Sequence, residues 1–223
     1  TKAAYEKYDF AEANQIMSNY LINVLSAFYG DFTKDILYIE KEDNFRRRQV
    51  QTVLYYNLKA LTRLYSPILV FTTEELHDYF DFGEEKAPSI CLEAEPQTLE
   101  LPHLDQANAL LSKFLEVRKD VLKALEEKRN EKVIGKSLEA KVYLSLKEDY
   151  KDVEALKDTL KLMFIVSKCE LVETHEGFEE FDTSFVKVEK FNGHVCARCW
   201  AVYDADEMHD EELCERCYEV VNG

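Results

Sequence analysis

At 223 residues the chain is long enough to bury a substantial core, and it has room for one or two domains plus a small metal module. Its composition, 46% hydrophobic and 32% charged, is ordinary for a soluble protein, and no apolar run is long enough to cross a bilayer. A net charge of −16 excludes a general basic coat for nucleic acid, because unspecific phosphate binding needs an excess of lysine and arginine. The charge is uneven: Lys113 to Lys147 carries net +4, leaving −20 elsewhere. That pattern fits either binding at one face or a solvated charged helix.

Taken in chain order, the first 82 residues read as helices. Phe10, Ile16, Met17, Tyr20, Leu21, Val24, Leu25, Phe28, Phe32, Ile36 and Leu37 recur mostly at three- and four-residue steps, the stripe of an amphipathic helix. After an acidic break near Glu40, a second stripe runs from Val50 through Leu64 and stops at Ser66-Pro67. Thr72-Thr73-Glu74-Glu75 offers a capping box for a third helix ending near Phe82. Short loops between three such helices predict a bundle. From Gly83 to Pro102 acidic residues and prolines without a sustained period read as a linker or strap. A long helix follows from Ala107 to about Arg129-Asn130. Leu138, Ala140, Val142, Leu144 and Leu146 alternate as a strand, Asp152–Leu160 reads as helix, and Met163–Val172 and Phe185–Phe191 read as strands.

Near the end, Cys196-Ala-Arg-Cys199 and Cys214-Glu-Arg-Cys217 stand fourteen residues apart. Each Cys-x-x-Cys turn places two thiolates on one side of a knuckle, and two facing knuckles make the four-sulfur tetrahedron that zinc prefers; iron is a chemical substitute. The competing readings are two disulfides, which need an oxidising compartment, or a redox dithiol, for which one pair suffices. No export leader opens the chain, so the expected compartment is the cytoplasm. Four thiolates close the coordination shell, so His194 and His209 are expected to be solvated and the zinc, one per chain, structural. Cys91 and Cys169 lack partners at metal spacing and are expected to be small buried hydrophobes.

No Gly-rich phosphate loop, nucleophile elbow or His-Glu-x-x-His helix occurs, and His77 and His103 have no nucleophile at a recognisable spacing. The pattern favours a binding assembly with no catalytic residues of its own. Three features fit nucleic acid. Arg46, Arg47 and Arg48 open the second helix, where they either meet phosphates or pair with Glu40, Glu42 and Asp43. Lys128, Arg129, Lys132 and Lys136 cluster in the turn after the long helix. Arg198 and Trp200, the only tryptophan, adjoin the first knuckle, where the ring is either a stacking platform for an unpaired base or the knuckle's own core.

Together these residues resemble a known family. Tyr8-Asp9-Phe10, Phe28-Tyr29-Gly30-Asp31-Phe32-Thr33-Lys34-Asp35, the Arg46–Arg48 run with Gln51-Thr52-Val53-Leu54, Leu64-Tyr65-Ser66-Pro67-Ile68-Leu69 and Thr73-Glu74-Glu75 resemble the anticodon-binding helical domain of class I isoleucyl-tRNA synthetases. Arg129 to Ala140 is similar to that family's turn into the junction domain, and Cys196-x-Arg198-Cys199-Trp200 with Leu213-Cys214-x-Arg216-Cys217 is similar to the bacterial-type zinc-binding tail. The resemblance implies a fold that is mainly α with a small α+β part: an anticodon-binding helical bundle (1–82), an acidic linker (83–105), a helix plus α+β junction domain (106–191) and a four-cysteine zinc module (192–223). It implies the C-terminal portion of a monomeric cytoplasmic enzyme whose catalytic and editing domains lie outside this chain. The parent joins isoleucine to its tRNA with ATP and Mg²⁺, while this portion grips the anticodon stem and loop and is inactive alone. The acidic stretch from Glu170 to Glu219 repels phosphate unless it faces away, so few contacts are expected from the zinc module.

The alternatives are a formamidopyrimidine-type DNA glycosylase, whose zinc finger is similar but whose N-terminal proline nucleophile has no counterpart at Thr1-Lys2, and a zinc-ribbon module that binds a basic protein.

Overall fold

Residues 1–80 and 86–223 are described by this computed structural model, and the chain divides between Leu99 and Glu100 into two units. In the first, α1 (Lys2–Glu6) is followed by α2 (Phe10–Asn19), whose N-cap Asp9 accepts from Glu12 N–H at 2.9 Å. The helix continues through a π-helical stretch, Tyr20–Gly30, into α3 (Asp31–Ile39). Hydrogen bonds of the π type reach five residues back, so the 3.6-residue period lapses there and the stripe expected from Phe10 to Leu37 is split. Ala13, Met17, Phe28, Thr33, Ile36 and Ile39 are buried, while Phe10, Ile16, Tyr20 and Val24 are exposed. Gly30 closes the stretch, where a Cβ would stand 2.9 Å from the Leu25 carbonyl oxygen, five residues back.

Asn44 caps α4 (Phe45–Tyr65), its side chain accepting from Arg46 N–H at 2.9 Å and Arg47 N–H at 3.3 Å. The helix ends before Ser66-Pro67, as the proline predicts. In α5 (Val70–Tyr79) the expected capping box is not the start: the helix begins earlier, and the Thr73 hydroxyl is buried and donates to Leu69 O at 3.0 Å. Glu74 instead accepts from Ser89 Oγ at 3.0 Å and Ile90 N–H at 3.2 Å. The expected helix end near Phe82 lies outside the described residues, as do 83–85 of the expected linker.

From 86 to 99 the chain is packed into the first unit. A 3₁₀ turn, Ile90–Leu92, buries Ile90, Arg63 Nε donates to Glu93 O at 3.0 Å, and His77 Nε2 lies 2.9 Å from Ala87 O. Composition alone hid this, because the docking is done by one isoleucine, by backbone groups and by polar side chains such as Ser89 and Lys86.

The second unit starts with α6 (Leu104–Asn130) and a 3₁₀ turn, Ser137–Glu139, leading into β1 (Ala140–Leu146). A long 3₁₀ segment, Glu148–Leu156, then passes into α7 (Lys157–Phe164). The strand expected over Met163–Val172 is shorter: α7 retains Met163 and Phe164, Ile165 at φ 58° ends the helix, and β2 spans Lys168–Leu171. β3 (Glu179–Glu180) and β4 (Ser184–Lys190) complete a mixed sheet in the order β2-β1-β4-β3, with β1 parallel to β2 and antiparallel to β4.

Register pairs Val142 with Val188 and Leu144 with Val186, and the alternation in β1 and β4 turns these side chains to the buried face. Phe114, Val117, Val121 and Leu125 of α6 and Leu160 and Phe164 of α7 complete this core, the Phe114 and Phe164 rings stacked at 5.4 Å. The chain ends in a small hairpin, β5 (His194–Val195) with β6 (Val202–Tyr203), a 3₁₀ turn, Ala205–Glu207, and α8 (Glu215–Asn222).

Candidate metal centre and nucleic-acid interface

The hairpin between β5 and β6 carries Cys196 and Cys199, and the start of α8 carries Cys217, with Cys214 as its N-cap. All four thiols are buried, and their sulfurs lie within 4.8 Å of one another. Cys199 Sγ and Cys214 Sγ are 3.9 Å apart, far beyond a disulfide bond, and all six cysteines are free thiols. Four thiolates at about 2.3 Å from a tetrahedral ion stand about 3.8 Å apart, so the observed spacing suits one metal.

Polar groups converge on the sulfurs. Burial opposes ionisation of Cys196, but N–H groups of Cys199, Cys214 and Arg198 outweigh it and bring the thiol down to about 6. One of these, Cys214 N–H, donates to Cys196 Sγ at 3.4 Å. Burial pushes Cys199 and Cys217 up, and the Arg198 side chain opposes the rise by donating to Cys217. The Tyr203 hydroxyl lies 3.5 Å from Cys199 Sγ, and burial together with that sulfur holds the phenol well above its usual range, so it remains a donor. Four buried thiols at this spacing, with an arginine and a phenol turned to them, could hold one metal ion.

Neither nearby histidine joins the cluster: His194 is exposed, and His209 lies 3.0 Å from Glu215 and stacks on Tyr218 at 3.4 Å. Cys91, expected inside, is exposed, since it stands on the outer side of the turn that buries Ile90. Cys169 on β2 is half-buried, and burial pushes its thiol up to about 12.

Trp200 is 70% exposed and held at φ 63°, with its backbone N–H donating to Cys196 O at 2.9 Å. The knuckle therefore presents the ring to solvent and does not pack it as a core. Arg198, half-buried, turns its guanidinium to the sulfurs. Arg216, which repeats the Cys-x-Arg-Cys signal in the second knuckle and reads in the sequence only as part of that motif, is also half-buried.

In the basic turn, Lys128 pairs with Glu131 at 2.7 Å, and Arg129 pairs with Glu126 and donates to Ser137 Oγ at 3.1 Å. Lys132, at φ 60°, and Lys136 are exposed. In the first unit, Arg46 and Arg48 are exposed, Arg48 donating to Gln51 Oε1 at 3.1 Å, whereas half-buried Arg47 donates to Glu40 O at 2.9 Å and so holds the α3–α4 turn. No helix among the described residues is long and apolar enough to cross a membrane.

A family model described as the anticodon-binding domain of tRNA ligase matches residues 1–144, and the chain belongs to that family. Among curated relatives it is similar to isoleucine–tRNA ligases: 41% identical over 227 residues to that of Bacillus cytotoxicus, 42% over 227 to that of Bacillus mycoides and 43% over 228 to that of Exiguobacterium sibiricum. These alignments cover 99–100% of this chain but 24% of each relative, so the chain spans about a quarter of their length.

Proposed function

We propose that this chain is the anticodon-gripping C-terminal part of an isoleucine–tRNA ligase. The observation that carries the reading is identity above 40% along the whole chain to enzymes of that name, which takes in the zinc knuckles as well as the matched helical region. The activity, joining isoleucine to tRNA with ATP and Mg²⁺, belongs to the longer cytoplasmic, monomeric protein with its catalytic and editing domains. This part contributes recognition. The same matches leave the glycosylase and zinc-ribbon alternatives without support.

The ion is a structural zinc held by Cys196, Cys199, Cys214 and Cys217. When bound it supplies a rigid, closed tetrathiolate node with no open position for water. Arg198 offsets thiolate charge there, and the knuckle presents Trp200 as a stacking surface for an unpaired anticodon-loop base. Stacking of this kind contributes about 1–3 kcal/mol per base. Arg46 and Arg48 in one unit and Lys132 and Lys136 in the other meet the phosphate backbone, with Arg47, Lys128 and Arg129 supporting their turns.

The test is a binding titration of the chain with isoleucine tRNA and with a non-cognate tRNA. Tighter binding of the cognate that weakens when a chelator strips the metal is expected. Equal affinity for both, or none for either, overturns the proposal.

A further inference from the structure

Two elements of that RNA-binding surface, the basic turn and the tryptophan knuckle, meet at one buried hydroxyl. Ser167 is 7% exposed; its Oγ donates to the Leu138 carbonyl at 2.5 Å and accepts from Val202 N–H at 2.7 Å. Leu138 lies two residues beyond Lys136, and Val202 lies two residues beyond Trp200. The next residue, Lys168, pairs with Asp204 at 2.7 Å. β6 thus stands between metal cluster and sheet: Tyr203 faces Cys199 Sγ, while its neighbours Val202 and Asp204 are anchored to Ser167 and Lys168. Gly193 permits this seating, since a Cβ there would stand 2.2 Å from the Tyr203 carbonyl oxygen.

We infer that Ser167 is a positioning residue for RNA recognition, its hydroxyl fixing the bearing of Trp200 relative to the Lys132–Lys136 turn. The inference rests on the RNA-binding reading above. The four metal ligands lie between Cys196 and Cys217, so an ion fixes the knuckle's internal shape but not its bearing on the sheet. Ser167 does, because a hydroxyl can donate to one backbone and accept from another at once. Ser167→Ala leaves the Val202 N–H, on a residue 4% exposed, without this acceptor and the Leu138 carbonyl without this donor.

The experiment uses the full 223-residue chain. Trp200 is the only tryptophan, so its fluorescence anisotropy reports its mobility directly. In Ser167→Ala, zinc content stays unchanged, Trp200 anisotropy falls, and affinity for an isoleucine anticodon stem-loop drops about tenfold. In a Trp200→Ala background the same change costs less than about twofold, because its effect runs through the missing ring. A serine that merely stabilises the fold weakens binding equally in both backgrounds, and that result overturns the inference, as does unchanged anisotropy.

Should Ser167→Ala fail to fold, Ser167→Cys keeps the side chain's shape but replaces the hydroxyl by a thiol, a weaker donor and acceptor. It gives the same readouts at smaller amplitude, and unchanged anisotropy there overturns the inference equally. If the unaltered chain binds no RNA, the RNA reading fails, while the anisotropy comparison still decides whether Ser167 orients Trp200.

Discussion

Asp120 couples a helix to a sheet with a single oxygen. It lies on α6, 8% exposed, and its Oδ2 accepts from Thr183 N–H at 2.8 Å, Thr183 Oγ1 at 2.6 Å and Ser184 Oγ at 3.2 Å, at the start of β4. Bonds to a carboxylate are stronger than neutral ones, and removing the acceptor strands a buried N–H. Asp120→Ala should therefore lower stability by about 2–4 kcal/mol, read as a shifted urea midpoint at unchanged slope. Asp120→Asn, which keeps an acceptor, should lose less. A midpoint for the alanine variant equal to that of the parent sinks the clamp account. The sequence carried a trace of this: Asp120 interrupts the stripe through Val117, Val121 and Ala124, a charged residue on a face that must be buried. Its partners were not legible, because they arrive from sixty-three and sixty-four positions away.

At the scale of elements, the four-cysteine module contrasts with the sheet that carries it. The module's buried set is the four cysteines with Val202, whereas the sheet is covered by aromatic and aliphatic side chains from α6 and α7. On the metal reading proposed above, sulfur–metal bonds do in residues 192–223 what apolar burial does in 104–190. Chelation should open the module to protease and leave the α6–sheet core resistant. A thiol reagent should find Cys91 alone before chelation and the four knuckle thiols after it. Cys169 should stay silent in both states at neutral pH. With its thiol raised from 9.0 to about 12, the reactive thiolate appears only as pH climbs toward that value, and the stability tied to the buried neutral thiol is lost over the same interval. Reagent uptake by all four knuckle thiols before chelation would falsify the metal site.

The contrast also explains what sequence could show. Cys-x-x-Cys spacing encodes its own geometry in four local residues, and the β1 alternation and the Pro67 stop are equally local. The π-helical stretch, the start of α5 and the extent of β2 depend on packing, which overrides periodicity and capping signals.

For the molecule as a whole, charge decides how RNA can be held. A net charge of −16 repels phosphate in general, so the RNA binding proposed above rests on a few cations placed where acids do not cancel them. Lys128 and Arg129 are paired with Glu131 and Glu126, and Arg47 is spent on the Glu40 carbonyl. Arg46, Arg48, Lys132 and Lys136 remain exposed. Neutralising one phosphate with each releases counterions equivalent to a slope of about −2.8 to −3.6 in log affinity against log salt, with each contact contributing about 0.7–0.9. Reversing Arg46 and Arg48 to glutamate should roughly halve that slope and weaken cognate and non-cognate tRNA alike, because phosphate contacts hold the nucleic acid without reading its bases. Trp200→Ala should do the opposite, leaving the slope in place while lowering affinity about 5- to 150-fold, the equivalent of one lost stack. Arg47→Ala should act through stability, lowering the melting temperature of the helical unit and changing RNA affinity only to that extent. An unchanged salt slope in the Arg46→Glu, Arg48→Glu double variant would move the phosphate contacts off the start of α4 and onto the second unit.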